Sequence, residues 1–532
     1  MTTGRRPQAP TRREFLRQIL AVTAAASACS PAGAGSASDG TGGTGEGSSG
    51  EPTTGGPPAL PGAPFTLGVA SGDPLADRVI LWTRLAPAEG PLAEATYTVT
   101  WEVAADEGFA TIVASGEAPA DPAFGHSVHV DASGLVPDTW YFYRFTIGEH
   151  TSPVGRTRTL PAADSAPERL RFAAASCQKF TSGYYTAYRH MAEEDLDLVI
   201  FLGDYIYENA DMGPVRAHGP EECRTLAQYR DRYALYRSDA ALREVHARFP
   251  WAVIWDDHEV DNNYAADVSA VGEAEAEFLA RRAAAYQAFY EHMPIRTEPP
   301  QGADLTIYRA MRWGDLADLF LLDTRQYRTD QLCMDEVGED CGELATEDGT
   351  LLGGTQEQWL KDGLRASTAI WRLIGQQIVF SKVDFEGFFV NWDQWDGYPK
   401  ARQRLLDFFA AEQLENVVIL AGDLHVGGMA ELNAVAGDKN TPVVAVEIVA
   451  TSISSSSEVG IEPEAIEAII GNIEQVKYFN AHSRGYVSVE VTRAELRARF
   501  KIVDTILEET SPIAVEAEYL VTAGVPGTVP VG

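Results

Sequence analysis

The chain has 532 residues, of which 45% are hydrophobic and 10% aromatic, a composition typical of a globular protein with more than one domain. Its formal net charge is -35 at pH 7. Such a surface repels polyanions at long range, so we do not expect a nucleic-acid-binding module. Beyond the N-terminal segment, no apolar run reaches the roughly 20 residues that span a bilayer, which predicts a soluble body.

Residues 1–29 resemble a twin-arginine export signal. Arg12 and Arg13 precede Phe15, and a short Ala-rich apolar segment follows. We predict export by this route to a secreted, periplasmic or cell-surface position; a disordered basic tail is the alternative. The sequence before Cys29 resembles a degenerate lipobox, which predicts a lipid tether to the membrane. Cleavage near Ala28 without lipid is the competing interpretation.

Two regions of different composition follow the signal. Residues 30–61 are rich in Gly, Ser, Thr and Pro and predict a flexible linker, because they cannot form a core. Between residues 62 and 160, short runs of β-forming residues recur at roughly ten-residue spacing without a helical period. This pattern predicts an all-β sandwich domain of the fibronectin or immunoglobulin type.

Residues 165–532 alternate strand and helix patterns, which is typical of an α/β domain. A strand at 170–175, a helix at 184–194 and a buried strand beginning at Leu198 form a predicted βαβ unit with parallel strands. Thr355 and Gln358 predict a capping box at the start of a later helix. Cys333 and Cys341 lie close together in an acidic loop, and we predict a disulfide between them in an oxidising compartment.

Chemically versatile side chains follow several predicted strands directly. Ligands in open α/β sheets bind outside the carboxyl ends of the strands, so these side chains are expected to converge. They are Cys177, then Asp204 with Tyr207, then Asp257 and His258 with Asn262 or Asn263, and finally Asp423 with His425.

Each of these positions also has a plainer interpretation. An aspartate after a strand often caps a turn, Cys177 could be a small buried hydrophobe, and the acids around Asp257 could form a solvated loop. Arg325, after another strand, could bind an anion or make a structural ion pair. The sequence leaves these alternatives open.

Taken together, the donors indicate a mixed metal site. Carboxylate and amide oxygens suit hard cations, whereas thiolate and phenolate donors suit a higher-valent transition metal such as Fe(III). Neither a Gly-x-Ser-x-Gly elbow nor a Gly-rich nucleotide loop is present in the sequence. A metal-bound hydroxide is therefore the expected nucleophile, acting on a phosphate ester.

The motifs themselves resemble the PhoD-type alkaline phosphatase family, from about residue 62 to 510. The resemblance is carried, in chain order, by Ser176-Cys177-Gln178, the stretch from Phe201 to Glu208, the stretch from Trp255 to Asn263, the stretch from Leu322 to Arg328, and the stretch from Ala421 to His425.

This resemblance implies an α/β metallophosphoesterase-like sandwich, two mixed sheets flanked by helices, preceded by the β domain. It implies hydrolysis of phosphomonoesters and phosphodiesters outside the cytoplasm, with Fe(III) and Ca²⁺ as cofactors. Carried over by motif, the implied Fe(III) ligands are Cys177, Asp204, Tyr207 and Asp423. The implied Ca²⁺ ligands are Asp204, Asp423 and Asn262, which is preferred to Asn263, and Asp257 and His425 lie in the same metal site. The candidate catalytic and phosphate-binding groups are His258, Asp257 and Arg484.

Two rival functions remain at this stage. The same scaffold could act mainly as a phospholipase D on membrane lipids. Alternatively, the chain could be a non-catalytic surface protein whose acidic residues bind Ca²⁺ and whose β domain binds a cell-wall partner.

Overall fold

The computed structural model describes residues 59–333, 337–338, 342, 348–383, 390–456, 464, 467 and 470–531. The predicted export signal at 1–29, Cys29 and most of the predicted linker lie outside the described residues. In the described part of the chain, no helix is both long and apolar enough to cross a membrane.

The N-terminal region is built almost entirely of strands, which confirms its all-β prediction. Its strands are β1 (Val69–Gly72), β2 (Arg78–Arg84), β3 (Tyr97–Ala104), β4 (Ile112–Ala120), β5 (Ser127–Ser133), β6 (Trp140–Ile147), β7 (His150–Thr151) and β8 (Gly155–Arg158). Strands β3, β4, β6, β7 and β8 form one sheet. Its apolar face packs on β1, β2 and β5 through residues such as Val99, Tyr143 and Leu81. The fibronectin or immunoglobulin type of this domain stays a prediction.

Strands β1, β2 and β5 are also part of the larger region. Strand β1 pairs in parallel with β13 (Pro250–Val253), with Ser71 opposite Pro250 and Gly72 opposite Trp251. The N-terminal strands therefore extend the main sheet and hold the two regions together by backbone hydrogen bonds.

Six α-helices and eighteen strands of the larger region have defined bounds among the described residues, together with a short 3-10 helix at Trp395–Gly397. The helices are α1 (Thr186–Ala192), α2 (Leu226–Arg237), α3 (Ala240–Arg248), α4 (Glu275–His292), α5 (Gly353–Ala366) and α6 (Pro399–Ala411). The strands up to β18 are β9 (Arg169–Ala175), β10 (Leu198–Phe201), β11 (Asp211–Met212), β12 (Ala217–Gly219), β13, β14 (Arg309–Trp313), β15 (Ala317–Leu321), β16 (Val337–Gly338), β17 (Trp371–Gly375) and β18 (Val390–Asn391). The remaining strands are β19 (Val417–Ala421), β20 (Gly427–Asn433), β21 (Val443–Val449), β22 (Val476–Asn480), β23 (Arg484–Thr492), β24 (Glu495–Val503), β25 (Ile513–Thr522) and β26 (Val529–Pro530).

Two mixed sheets dominate this region, as predicted. The first has ten strands in the order β26-β25-β24-β23-β9-β10-β13-β1-β2-β5, and the second has seven in the order β14-β15-β17-β19-β21-β20-β22. Strands β9, β10 and β13 run parallel to one another, as do β15, β17, β19 and β21. Within each parallel set the carboxyl ends lie at one edge of the sheet.

The core lies between the two sheets. Side chains of the first sheet, such as Phe172 and Ile200, share a buried apolar cluster with Leu373 and Leu420 of the second. Helices α5 and α6 cover the other face of the second sheet and pack against its strands through Leu360 and similar residues.

Two local predictions were tested by the structure. The capping box predicted at Thr355 is wrong: α5 begins earlier, at Gly353, and has no side-chain cap. A capping box does occur at Thr225 and Gln228, at the start of α2. Cys333 is disulfide-bonded, as predicted, while its predicted partner Cys341 lies outside the described residues.

Candidate metal centre

The predicted site residues lie where parallel strands end. Cys177 follows β9, Asp204 follows β10, Asp257 follows β13 and Asp423 follows β19. These strands belong to two different sheets. An isolated parallel bridge between Ser176 and Ser452 joins the end of β9 to the end of β21. It thus links the two sheet edges at which the predicted site residues lie.

The backbone is under local strain at this edge. Four of the predicted site residues have left-handed φ angles, a region that non-glycine residues rarely occupy: Cys177 at 55°, Asp204 at 59°, Asp423 at 65° and His425 at 58°. Such conformations cost of order 1–3 kcal/mol each and are concentrated at functional sites. These left-handed residues follow the strand ends and form the turns that carry the candidate site residues.

Both Gly-Asp pairs require glycine, because a neighbouring chain segment lies too close to leave space for a side chain. Gly203 has a φ of 117°, and a Cβ there would lie 2.5 Å from the Cβ of Asp256. A Cβ on Gly422 would lie 2.5 Å from the Ser176 hydroxyl oxygen. The absence of a side chain thus allows β10 to approach β13, and β19 to approach β9, directly beneath the site.

One group of donors surrounds Tyr207. Potential ligand atoms of Cys177, Asp204 and His425 lie within 4.8 Å of one another, and all three residues are buried. The Tyr207 hydroxyl oxygen lies 2.8 Å from Asp204 Oδ2 and 2.9 Å from His425 Nε2. His425 donates its Nδ1 hydrogen to the Ser456 carbonyl at 2.8 Å, so its Nε2 faces Tyr207 as an acceptor.

A second group adjoins the first. Potential ligand atoms of Asp204, Asp257 and His258 lie within 4.8 Å of one another, as do those of Asp256, Asp257 and Asp423. Because Asp204 and Asp257 each belong to two groups, the carboxylates form a continuous cluster that offers more than one set of ligand atoms.

Carboxylate oxygens without hydrogen bonds indicate what this cluster lacks. Asp204 Oδ1 and Asp257 Oδ1 are buried and form no hydrogen bond. The Arg325 guanidinium lies 3.6 Å from Asp257 Oδ1, beyond hydrogen-bond distance. Burying a carboxylate oxygen without a hydrogen bond is costly, so buried charges normally form close ion pairs or bind metal. The observed donor set therefore fits a cation site of mixed thiolate, phenolate, imidazole and carboxylate character.

The electrostatics of the ligands lead to the same conclusion. Burial, reinforced by the Asp204 and Asp423 carboxylates, raises the pKa of the Cys177 thiol well above its ordinary value. Burial and neighbouring acids likewise raise the pKa of Asp204 and of Asp423. Burial thus disfavours the charged forms of these groups, and a bound cation would offset that cost.

His258 is oriented by an acidic partner. Its Nδ1 lies 2.7 Å from Glu208 Oε2, and both side chains are buried. Burial opposes the charged imidazole, but Glu208, Asp257 and Asp204 together raise the pKa of His258 well above its ordinary value. The ring also lies against Tyr207, with centroids 4.0 Å apart. Glu208 thus orients the His258 ring beside the carboxylate cluster and favours its protonated form.

Arg325 makes buried ion pairs, so the structural interpretation of this residue is confirmed. It is fully buried, binds both oxygens of Asp393, and donates to Asp256. It also lies 3.4 Å from Asp423 Oδ1 and 3.6 Å from Asp257 Oδ1. The Arg325 and His258 charges outweigh the effect of burial and lower the pKa of Asp257.

The other predicted residues lie at the margin of the cluster. Arg484 Nη1 donates to the Ser483 carbonyl at 2.9 Å and lies 3.4 Å from the His425 carbonyl oxygen. Asn262 donates its backbone N–H to Glu208 Oε1 at 3.2 Å, whereas Asn263 donates its own to Asp257 Oδ2 at 2.7 Å. The choice between the two amides as ligands stays a prediction.

Several supporting residues were missed by the sequence analysis. Glu259 accepts backbone N–H groups from Asp204, Tyr205 and Asp256, and so ties two strand ends together. Gln394 donates to Asp423 Oδ2. Glu259 lies near Trp255 in the sequence, and Gln394 lies near Trp392. Their contacts join segments that are distant in the sequence, and no local pattern specifies such contacts.

The fourth acidic group in the described chain is already neutralised. Glu208, Glu222 and Asp261 have ligand atoms within 4.8 Å of one another. Arg281, however, pairs with Glu222 at 2.6 Å and with Asp261 at 3.0 Å. We therefore assign no cation to this group.

Comparison with known proteins gives the family. A family model described as "PhoD-like phosphatase" matches residues 172–500. A second, described as "PhoD-like phosphatase, N-terminal domain", matches residues 52–161. The chain belongs to the PhoD-like phosphatase family.

Individual relatives agree with this assignment. Alkaline phosphatase D of Bacillus subtilis (strain 168) is 45% identical to this PhoD-like chain over 470 residues, which cover 86% of this chain and 80% of that protein. A solved structure of PhoD superposes with a TM-score of 0.85 at 43% identity, over 89% of this chain and 93% of that one. The predicted family and enzyme class are confirmed: the chain is a phosphatase, with phosphate esters as its substrates. This result favours an enzyme over the non-catalytic surface protein.

Proposed function

We propose that this PhoD-like chain is an exported, metal-dependent enzyme that hydrolyses both phosphomonoesters and phosphodiesters and so releases phosphate outside the cytoplasm. The observation that supports this proposal most is the convergence of Cys177, Asp204, Tyr207 and His425 around one buried point. Two carboxylate oxygens without hydrogen bonds face the same cluster.

The donor types suggest which cations bind. A thiolate and a phenolate together suit Fe(III), which we assign to Cys177, Asp204, Tyr207 and Asp423. Carboxylate and amide oxygens suit Ca²⁺, which we assign to Asp204, Asp423 and Asn262. Bound metal supplies a water of lowered pKa and a Lewis acid for phosphate oxygens.

The chain's own residues supply orientation and a proton. His258, whose Nδ1 is held by Glu208, has Nε2 left to donate a proton to the leaving-group oxygen. Lys179 Nζ lies 5.3 Å from the centroid of the Tyr207 ring, which places positive charge beside the same cluster. Arg484, whose guanidinium reaches the His425 carbonyl, is the further candidate for contact with phosphate.

A substrate comparison tests the proposed activity. Purified protein should hydrolyse both p-nitrophenyl phosphate and bis(p-nitrophenyl) phosphate, lose activity in EGTA and regain it with added Ca²⁺. Asp204→Asn should abolish turnover of both esters. Activity that survives both chelation and Asp204→Asn would refute the metal-dependent mechanism. Turnover of choline phospholipid well above that of the soluble diester would instead favour the phospholipase D alternative.

Export is tested separately. The twin-arginine motif at Arg12 and Arg13 is the feature on which this part of the proposal rests. Replacing both residues by lysine should retain the enzyme inside the producing cell, and unchanged export of that variant would contradict the proposed route. Mass analysis of the exported N-terminus would decide whether Cys29 carries lipid.

A further inference from the structure

A serine-rich segment, residues 451–456, passes beneath the metal centre. It follows β21 and contacts both sides of the site. The backbone N–H of Ile453 donates to the Ser176 carbonyl at 3.0 Å, and that of Ser455 donates to the Cys177 carbonyl at 3.2 Å. At its end, the Ser456 carbonyl accepts the Nδ1 hydrogen of His425. The segment therefore joins the Cys177 turn to the His425 turn.

Within this segment, the Ser455 hydroxyl lies against Tyr207. Its oxygen lies 2.7 Å from the Tyr207 hydroxyl oxygen and 2.8 Å from the Cys177 carbonyl oxygen. It also accepts the backbone N–H of Lys179 at 3.0 Å. Ser455 is completely buried, so water does not compete for these positions. The single hydroxyl hydrogen can go either to the Cys177 carbonyl or to Tyr207, but not to both.

The neighbours of Tyr207 decide between these two positions. Asp204 Oδ2 and His425 Nε2 also lie close to the Tyr207 oxygen, and both are acceptors. A phenol can satisfy one of them with its own hydrogen. A phenolate bound to a cation has no hydrogen to give, and neither Asp204 nor His425 Nε2 offers it one. The Ser455 hydroxyl, 2.7 Å away, is then in place to donate to the phenolate oxygen.

We propose that Ser455 is a positioning residue that turns its hydroxyl hydrogen from the Cys177 carbonyl to the Tyr207 oxygen when that oxygen binds the cation. This inference rests on the proposed function, in which Tyr207 is an iron ligand. The hydrogen bond fixes the direction of the phenolate and withdraws electron density from it. Groups that hydrogen-bond to metal ligands tune the metal and typically contribute 10–100-fold to its affinity.

Two neighbouring serines allow a matched test. Ser455→Ala removes the hydroxyl beside Tyr207. Ser454→Ala is the control, because Ser454 is equally buried but donates to the Lys179 carbonyl at 2.9 Å instead. Full-length protein is loaded with Fe(III), and both iron affinity and the phenolate-to-iron absorption band are measured. We expect Ser455→Ala to lose about 10–100-fold in affinity and to shift the band to longer wavelength, and Ser454→Ala to do neither.

A double-mutant cycle with Tyr207→Phe separates this role from simple packing. If Ser455 acts through the phenolate, Ser455→Ala should cause little further loss of iron affinity once Tyr207 is Phe. Additive losses with an unshifted band would overturn the role of Ser455 and leave the proposed function intact. Wild-type protein that binds Fe(III) without any such band would overturn both, because Tyr207 would then not be a ligand.

Discussion

Arg325 binds both carboxylate oxygens of Asp393, at 2.6 and 2.8 Å, and its guanidinium reaches Asp423 at 3.4 Å. One completely buried side chain thus connects the loop after β18 with the strand end that carries a candidate metal ligand. It supplies positive charge to a cluster in which several acids would otherwise repel one another. The metal centre and the stability of the fold are coupled through this residue.

We predict that Arg325→Met strongly destabilises the protein. The substitution leaves Asp256 buried without its arginine and removes one of the two arginines that bind Asp393. Breaking one side of a buried ion pair typically costs about 3–5 kcal/mol. Urea unfolding followed by fluorescence measures the change. Arg365→Met is the control, because Arg365 is about half exposed and pairs with acids at the surface. Equal stability of the two variants would contradict the structural role of Arg325.

We predict that Gly203→Ala damages the site more than a glycine substitution elsewhere. An added methyl group would overlap Asp256 and disturb the turn that carries Asp204. Gly219→Ala is a matched control: Gly219 also has a positive φ, of 143°, but open space around its Cβ position. Metal content and unfolding free energy should fall in the first variant, and the control should lose stability only through backbone strain. The same loss of metal in both variants would contradict the argument from crowding.

We predict that Glu208→Gln slows the reaction according to the leaving group. Without the Glu208 charge, the pKa of His258 is raised less by its surroundings, which weakens the preference for the protonated donor. General acid catalysis contributes about 10²–10⁴-fold, and it matters most for poor leaving groups. Turnover of an alkyl phosphate should therefore fall much more than that of p-nitrophenyl phosphate.

The control for this prediction is Glu221→Gln. Glu221 is exposed and accepts a hydrogen bond from Gln228 at the start of α2. Glu221→Gln should leave the turnover of both the alkyl phosphate and p-nitrophenyl phosphate unchanged. An equal loss on both esters in Glu208→Gln would assign Glu208 to metal binding or packing rather than to proton donation.

We predict that acid weakens the junction between the N-terminal strands and the larger region through His129. Burial lowers the pKa of His129 from 6.5 to about 4, and its Nε2 lies 3.0 Å from the Met293 carbonyl oxygen. Between these pH values the unfolded chain binds more protons than the folded one, so stability falls as pH decreases from 6.5 to 4. The side chain keeps some contact with solvent, and we expect a loss of about 2 kcal/mol.

Unfolding of wild type and His129→Gln at several pH values checks this sign. The variant should show a smaller loss on acidification. His150→Gln, on the short strand β7, should behave as wild type does. A wild-type protein that gains stability from pH 6.5 to 4 relative to His129→Gln would contradict the prediction.

The strand ends were predictable from the sequence because their pattern is local. A short apolar run that ends in polar residues, as Gly-Asp in two cases, gives both a buried strand and the position of its carboxyl end. Parallel pairing then places Cys177, Asp204, Asp257 and Asp423 at common edges. The resemblance to a family added the identities of the expected cations, which carboxylates alone do not specify.

The supporting contacts were not predictable in the same way. Ser455 lies in a serine-rich run that reads as an ordinary loop, and its contact with Tyr207 spans 248 positions. Asp393 follows a two-residue strand with no apolar run to mark it. The pairing of β1 with β13 was also missed, because nothing in the strand pattern of the N-terminal region states which sheet its strands join.

Anomalous diffraction at the iron absorption edge, on crystals of protein purified from its native exported form, tests the central claim most directly. We predict an iron peak surrounded by Cys177 Sγ, the Tyr207 oxygen and carboxylate oxygens of Asp204 and Asp423. Fully active protein with no iron peak among these four residues would contradict the account.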